Sequence, residues 1–316
     1  MSEMQHFGRL IILLLLIGLL TVTVLLVVNN RAPQPATPPL TGDEPAVLVG
    51  AGDIAECGTE GDEATAALID GVIAEHPDAV VFTSGDNAYD GGLPEEFDEC
   101  YEPSWGRFKD RTRPAVGNHE FGARKAGGYS DYFGEAAGEF DEYYYSYELG
   151  GWHIVVLNSE CHRVGCEPGS SDGEQAEWLE ADLAASDASC TLAIWHHPRW
   201  SSGRYGINDE VAWFWEALYA EGAEVIINGH EHLYERFEPL NPAGDVDAQR
   251  GLLQITAGTG GGNLRDFDEQ DILATSVARG LDWGVLQLTL QQDRYEWQFL
   301  PVKGASFTDS GSGTCH

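Results

Sequence analysis

Five short apolar segments that lead into Asp, Asn or His residues constrain the fold more than any other feature of this sequence. They span residues 46–50, 79–83, 113–117, 191–195 and 224–228. Their length and apolar composition are typical of buried strands. Helix-like segments at 63–75, 172–185 and 209–221 alternate with them, and strand patterns recur at 251–257, 283–290 and 295–302. The order predicts a layered α/β domain with additional antiparallel strands.

The residues that follow these strands form an ordered series of polar groups. The series is Gly52-Asp53, Gly85-Asp86 with Tyr89 three residues later, Gly117-Asn118-His119-Glu120, His196-His197 and Gly229-His230-x-His232. Taken singly, each group is typical of a turn, a helix cap or a packed histidine. Independent turns would not be expected to produce this order after five consecutive apolar strands. The series therefore indicates one functional site assembled from strand ends.

On these five blocks the sequence resembles the calcineurin-like dinuclear metallophosphoesterases, and within them the purple acid phosphatases. The resemblance covers roughly residues 46–302, and Leu233-Tyr234-Glu235-Arg236 is similar to the plant and bacterial branch. It implies a four-layer α/β/β/α sandwich with metals at the strand ends. We therefore expect residues 46–302 to form one catalytic domain, followed by a C-terminal tail at 303–316.

The resemblance also implies a ligand set. One metal would be held by Asp53, Asp86, Tyr89 and His232, and the other by Asp86, Asn118, His196 and His230, with Asp86 bridging. His119 would be the catalytic residue beside the metals, and Asn118 and His119 would contact substrate. Apart from the resemblance, four further residues are candidates to line the substrate pocket, although packing in the core is the ordinary role of each: His197, Trp195, Trp200 and Tyr205. Carboxylate and imidazole groups suit hard or borderline ions, which agrees with this assignment.

Tyr89 bears on which metals the site would hold. A phenol with an ordinary pKa near 10 becomes a phenolate ligand at neutral pH only beside a strong Lewis acid. The expected cofactors are therefore two metal ions, Fe(III) at the Tyr89 position and a divalent Fe, Zn or Mn ion beside it. A metal-bound hydroxide would then attack the phosphorus of a phosphomonoester, a small-molecule substrate.

Two alternatives stay open at this point. A phosphodiesterase or nucleotide hydrolase could use the same metal pair, because the loops that would contact the leaving group, 160–173 and 200–207, do not map onto the family. A non-catalytic, surface-anchored binding module could keep the fold, but it would be expected to have lost a metal ligand.

Two other segments resemble catalytic motifs but lack an essential feature. No buried strand precedes Gly169-Ser170-Ser171-Asp172-Gly173, and the glycine-rich segment 256–263 lacks the lysine of a P-loop. We expect the latter to form a tight loop near the metals.

The N-terminal part of the sequence predicts a membrane anchor. Residues 10–28 form a run of 19 without a charge, proline or amide, which as a helix spans about 28 Å. We expect residues 1–9 to be a short cytoplasmic terminus, 10–28 a transmembrane signal anchor and 29–45, with five prolines, a semi-rigid stalk. A cleaved signal peptide is the alternative and would give a secreted protein.

All six cysteines follow the apolar run. None forms a CxxC pair, so disulfides in an oxidising compartment are favoured over a zinc site. The catalytic domain is therefore expected outside the cytoplasm. Cys161 with Cys166 and Cys190 with Cys315 are candidate pairs among 15 connectivities.

The net charge limits the partners. With 52 acidic and 17 basic residues, the formal charge is −35, which excludes a protein that coats nucleic acid by neutralising phosphates. The acidic surface fits either adaptation to high salt or an ordinary acidic secreted protein. No obligate protein partner is inferred.

Overall fold

A computed structural model describes residues 45–160 and 173–316. The strands are β1 Ala46–Ala51, β2 Val80–Ser84, β3 Thr112–Ala115, β4 Tyr145–Leu149, β5 Trp152–Val156, β6 Cys190–Ile194, β7 Val225–Asn228, β8 Tyr234–Phe237, β9 Leu253–Ala257, β10 Ser276–Gly280, β11 Gly284–Gln291, β12 Arg294–Pro301 and β13 Ser310–Thr314. The α-helices are α1 Gly61–Glu75, α2 Pro94–Glu96, α3 Gly127–Phe133, α4 Glu174–Ala185 and α5 Ala212–Ala220. Short 3-10 or π turns include Phe97–Tyr101, Trp105–Arg111, His119–Gly122 and Asp209–Val211.

The strands form two mixed sheets. The first has six strands in the order β13-β12-β11-β1-β2-β3, and the second has seven in the order β10-β8-β9-β7-β6-β5-β4. Strands β1, β2 and β3 are parallel to one another, as are β5, β6, β7 and β9. The remaining neighbours pair antiparallel. This arrangement confirms the predicted α/β class with extra antiparallel strands.

The core explains why the two sheets pack together. One buried cluster joins side chains of both sheets, including Leu48 and Phe82 of the first and Ile194 and Ile227 of the second. The opposite face of the first sheet packs against α1 and the helical turns of residues 97–137. The opposite face of the second sheet packs against α4 and α5. The order of layers is therefore helices, sheet, sheet, helices, as the family resemblance implied.

Several predictions fall on residues that the structure does not describe. The predicted anchor 10–28, almost all of the stalk 29–45 and the candidate pair Cys161 with Cys166 lie outside the described residues. Within 45–160 and 173–316, no helix has both the length and the apolar character needed to cross a bilayer.

The two disulfides of the described residues join Cys57 to Cys100 and Cys190 to Cys315. The second confirms a candidate pair from the sequence, whereas the first was not among those named. Strand β13 lies in residues 303–316, which the sequence predicts to be a C-terminal tail, and it pairs with β12 from Arg294↔Thr314 to Gln298↔Ser310. Disulfides are typical of oxidising compartments, which agrees with a location outside the cytoplasm.

Candidate metal centre

The predicted site residues lie where the parallel strands of both sheets end. Asp53 follows β1, Asp86 and Tyr89 follow β2, and Asn118 and His119 follow β3. In the second sheet His196 follows β6, while His230 and His232 follow β7. The amide of Gly52 donates to the carbonyl of Ala257 over 2.9 Å, so the ends of β1 and β9 are linked between the sheets. Both sheets therefore deliver their polar residues to one place.

Three of these residues have left-handed backbone conformations. The φ angles of Asp53, Asp86 and His230 are 58°, 52° and 68°. Such values are uncommon for residues other than glycine, and they concentrate at functional sites. A Cβ atom on the neighbouring Gly117 would lie 2.3 Å from the amide nitrogen of Asp86, so the close approach requires glycine there. The tight turns aim the two carboxylates inward.

The first half of the site is centred on the phenol of Tyr89. Its hydroxyl oxygen lies 2.9 Å from Oδ1 of Asp53, 3.2 Å from Oδ2 of Asp86 and 3.2 Å from Nε2 of His232. The carboxylate of Asp53 is also 3.2 Å from the same His232 nitrogen. All four side chains are buried. The structure thus brings together the four residues predicted for one metal, in a group where Asp53, Asp86 and His232 could hold an ion.

The second half lies on the other side of Asp86. Nε2 of His196 is 3.2 Å from Oδ2 of Asp86 and 3.1 Å from Oδ1 of Asn118. The rings of His196 and His230 are 5.1 Å apart, and those of His197 and His230 are 4.2 Å apart. His196, His197 and His230 form a second group that could hold an ion. His197, predicted only as a substrate contact, therefore lies as close as the predicted ligands.

His119 lies beside the first half. Its ring centroid is 4.5 Å from that of Tyr89, and its Nε2 is 3.8 Å from Oδ2 of Asp86. Its Nδ1 lies 2.6 Å from the carbonyl oxygen of Asp90. Because a carbonyl only accepts hydrogen bonds, Nδ1 carries a proton and Nε2 is the nitrogen that faces the site. About a third of the side chain, 30%, remains exposed.

Backbone carbonyls orient two further imidazoles. Nδ1 of His196 donates to the carbonyl of Ser84 over 2.8 Å, and Nδ1 of His232 donates to that of Asn263 over 2.7 Å. Such contacts fix the tautomer and leave Nε2 available as a ligand. Asn263 ends the glycine-rich loop after β9, whose Gly262 amide donates to the carbonyl of Asp53. The glycine-rich segment therefore contacts Asp53 and His232, two of the predicted ligands.

Two buried glutamates, for which the sequence predicts no role, hold the loops of the site. The carboxylate of Glu120 accepts from the amides of Asp86, Asn87, Ala88 and Gly117, at 2.7 to 3.4 Å. The carboxylate of Glu231 accepts from the hydroxyl of Ser201 and from the amides of Arg204 and Tyr205. Their only sequence cue is a position directly beside a predicted site residue.

The electrostatics of the protein groups favour a bound cation. Burial and the nearby carboxylates of Asp53 and Asp86 raise the pKa of Tyr89 well above its ordinary value. Burial lowers the pKa of His196, but the carboxylate of Asp86 outweighs it and raises the pKa to about 10. Burial and the carboxylate of Asp86 raise the pKa of Glu120 to about 7. Buried carboxylates this close to one another and to a phenol need positive charge for compensation.

The aromatic residues near the second half divide into two groups. Trp195 and Trp200 are buried in the core beside α4 and α5. Tyr205 is 51% exposed, and its ring lies 4.4 Å from that of His230 at an interplanar angle of 29°. Tyr205 therefore stacks on the ring of a predicted metal ligand, whereas Trp195 only donates its indole N–H to the backbone carbonyl of His197 over 2.7 Å.

Comparisons with known proteins agree with this geometry. A family model described as calcineurin-like phosphoesterase matches residues 47–234, more than half of the chain. Purple acid phosphatase 15 of Arabidopsis thaliana is 33% identical over 193 residues, which cover 52% of this chain and 35% of that protein. The chain thus spans about a third of the length of this curated relative.

Two solved structures share the fold. A purple acid phosphatase from yellow lupin (Lupinus luteus) seeds superposes with a TM-score of 0.69 at 17% identity, covering 86% of this chain and 54% of that one. GAP50, described as the anchor in the inner membrane complex of Plasmodium, superposes with a TM-score of 0.63 at 13% identity, covering 87% and 90%. At these identities the likeness concerns the fold alone. From the match of the family model, the chain belongs to the calcineurin-like phosphoesterase family.

Proposed function

We propose that this protein is a phosphatase that hydrolyses phosphomonoesters with two metal ions held at the strand ends. The observation that carries the proposal is the convergence of every residue predicted to bind metal. The proposed ligands are Asp53, Asp86, Tyr89, Asn118, His196, His230 and His232. Similarity to purple acid phosphatases over half of the chain supports the same conclusion.

The donor set fits two ions. Oδ2 of Asp86 lies 3.2 Å from both Tyr89 and His196, so this carboxylate is proposed to bridge the two halves. The Tyr89 half joins a phenol to two carboxylates, which favours a trivalent ion such as Fe(III). The His196 half offers imidazoles and an amide oxygen, which suit divalent Fe, Zn or Mn. When bound, such a pair supplies a nucleophilic water of lowered pKa and positive charge for the phosphoryl oxygens.

His119 is proposed to move the proton in the reaction. Its Nδ1 proton is held by the carbonyl of Asp90, so proton exchange takes place at Nε2. That nitrogen lies 3.8 Å from Oδ2 of Asp86 and the side chain is 30% exposed, so we expect an incoming ester to reach it. His119 would donate a proton to the leaving alcohol oxygen, a role worth about 10² to 10⁴ in rate. Asn118 and His197 are proposed to orient the phosphoryl group.

Two other functions predict results that differ from those expected of a phosphomonoesterase. A phosphodiesterase or nucleotide hydrolase would use the same ligands with different contacts to the leaving group. A surface-anchored binding module would share the fold, but the intact ligand set favours catalysis.

The apolar run 10–28 is proposed to anchor the protein in a membrane, with the catalytic domain outside the cytoplasm. No obligate protein partner is proposed.

The test compares esters and variants of the full chain. Wild type should hydrolyse phenyl phosphate faster than bis(phenyl) phosphate, and the purified protein should contain two metal ions. Asp53→Ala should lose activity and metal, whereas Asp78→Ala, which removes an exposed carboxylate from a turn, should lose neither. Preference for the diester would support the phosphodiesterase hypothesis. Equal activity in wild type and Asp53→Ala would overturn the proposal.

A further inference from the structure

We propose that Tyr205 is a stacking platform for the leaving group, selecting phosphomonoesters whose alcohol carries a planar aromatic ring. This inference rests on the proposed function and names the substrate class of the same site. It begins from an unusual pair of properties. Tyr205 is 51% exposed, yet the centroid of its ring lies 4.4 Å from that of His230, a predicted ligand.

The stacking geometry leaves part of the tyrosine available. At an interplanar angle of 29°, Tyr205 and His230 are close to parallel, so His230 backs one side of the phenol ring. The exposed part of Tyr205 is proposed to face the substrate, because the ring that backs it, His230, is itself a predicted metal ligand. Aromatic rings prefer such offset or tilted contacts with one another. A planar ring attached to the scissile ester could therefore rest on Tyr205 while the phosphoryl group approaches His196 and His230.

Buried carboxylates hold the loop that carries the platform. Glu231 accepts a hydrogen bond from the Ser201 hydroxyl over 3.0 Å and from the Tyr205 amide over 2.8 Å. Glu235 accepts from the amide of Ser202 over 2.9 Å. Because both glutamates are buried, solvent does not compete for these bonds. A loop fixed before the substrate arrives loses little conformational entropy on binding.

The charges around Tyr205 point to a neutral leaving group. The guanidinium carbons of Arg204 and Arg265 each lie 5.8 Å from the Tyr205 ring centroid, and Nη1 of Arg265 is 3.4 Å from the phenol oxygen. The same two arginines line a cavity of about 420 Å³ together with Asp266, Phe267, Asp268 and Glu269. Three carboxylates oppose two guanidinium groups there, so a second anionic group would gain no net attraction. The apolar Ile207, 49% exposed, lies on the same loop.

The experiment uses benzyl phosphate and cyclohexylmethyl phosphate as substrates of the full chain. Both are esters of primary alcohols, so in each case water adds to phosphorus, the P–O bond to the alcohol breaks and the alcohol oxygen gains a proton. The two leaving groups share one carbon skeleton, with a planar aromatic ring in one and a puckered saturated ring in the other. Wild type should show a kcat/KM about 2- to 10-fold higher for the benzyl ester. Tyr205→Ala should abolish this preference, and Tyr205→Phe should keep it.

Controls separate the platform from the chemistry. Inhibition by inorganic phosphate should be unchanged in Tyr205→Ala. Phe140→Ala, which removes an exposed aromatic side chain from a turn before β4, should keep the preference. Benzylphosphonate should bind more tightly than cyclohexylmethylphosphonate when binding is measured by calorimetry, and neither compound is turned over. Hydrolysis of both esters with no preference, or a preference that survives in Tyr205→Ala, would overturn the platform alone. Failure of wild type to hydrolyse either ester would overturn the proposed function and the platform with it.

Discussion

Oδ2 of Asp86 lies 3.2 Å from Nε2 of His196, although the two residues follow strands of different sheets. The same oxygen is 3.2 Å from the phenol of Tyr89. One carboxylate thus contacts both halves of the site, and the contact exists only because the parallel ends of β2 and β6 face one another. A mutation of this shared carboxylate should therefore affect both halves, whereas a mutation of a residue in one half should affect that half alone.

Asp86→Ala should lose both metals, because it removes the only group proposed to belong to both sites. His196→Ala should lose one metal and retain the ion at the Tyr89 half. Metal analysis after dialysis distinguishes the two variants. Loss of a residue that only hydrogen-bonds a metal ligand lowers activity roughly 10- to 100-fold. Activity should fall by more than this in both variants. Two tightly held ions in Asp86→Ala would contradict the bridging assignment.

Tyr89→Phe should abolish a broad visible absorption band of the wild-type protein. The burial and carboxylates that raise the pKa of this phenol mean that only a strong Lewis acid can deprotonate it at neutral pH. The visible spectrum and iron content of the same sample provide the measurement, with Tyr101→Phe as a buried tyrosine control. If the wild-type protein holds two metals but shows no visible band, the metals would be zinc or manganese. Tyr89 would then lie beside the metals without binding one as a phenolate.

His119→Ala should retain both metals and lose turnover by about 10²- to 10⁴-fold. Its ring contacts Tyr89 and faces Asp86 but is not in either group of candidate ligands. Single-turnover rates and metal analysis on one preparation make the comparison. Full turnover in the variant would remove His119 from the mechanism, and loss of a metal would make it a ligand.

His153 should make stability depend on pH at a place remote from the strand-end residues. Its two ring nitrogens lie 2.8 Å from carboxylate oxygens of Glu148 and Asp182. Burial lowers the pKa of His153, but these hydrogen bonds outweigh it and raise the pKa above its ordinary 6.5. A raised pKa in the folded state means that the imidazolium stabilises the fold fully below pH 6.5 and that this contribution disappears as the pH rises through the folded pKa.

Thermal unfolding between pH 5 and 9 tests this expectation. The unfolding temperature of wild type should fall relative to His153→Gln as the pH rises past 6.5. His76→Gln, which removes an exposed histidine at the end of α1, is the matched control and should follow wild type. A constant difference between wild type and His153→Gln over this range would contradict the assignment.

Salt should stabilise the protein. At a formal charge of −35, repulsion among carboxylates opposes the compact state. Raising NaCl from 0.1 to 1 M shortens the screening length from about 10 to 3 Å, so the unfolding temperature should rise, and KCl should act equally. If the unfolding temperature stays constant or falls as either salt is added, repulsion among the carboxylates does not limit the stability of the folded state.

Long-range packing explains which strands sequence patterns missed. Strand β5, Trp152–Val156, is buried along its whole length and shows no alternation, so its pattern alone does not separate it from a helical segment. Strand β13 is Ser-Gly-Ser-Gly-Thr and has no apolar pattern at all. Its glycines allow it to pair closely with β12: a Cβ on Gly311 or Gly313 would lie 2.3 Å from the ring of Trp297 or Tyr295, respectively. The disulfide between Cys315 and Cys190 holds its end in place.

The sequence by itself determined the family, the α/β class and the seven candidate ligands, because catalysis at strand ends leaves its residues at fixed positions after apolar runs. Only the tertiary structure decided how Glu120 and Glu231 hold the loops, that His197 joins His196 and His230, and that Tyr205 packs on His230 while Trp200 enters the core. The physical reason is that these contacts join loops from separate strand ends. Hydrogen bonds and ring contacts of that kind depend on how strands are ordered within the sheets, which local periodicity does not encode.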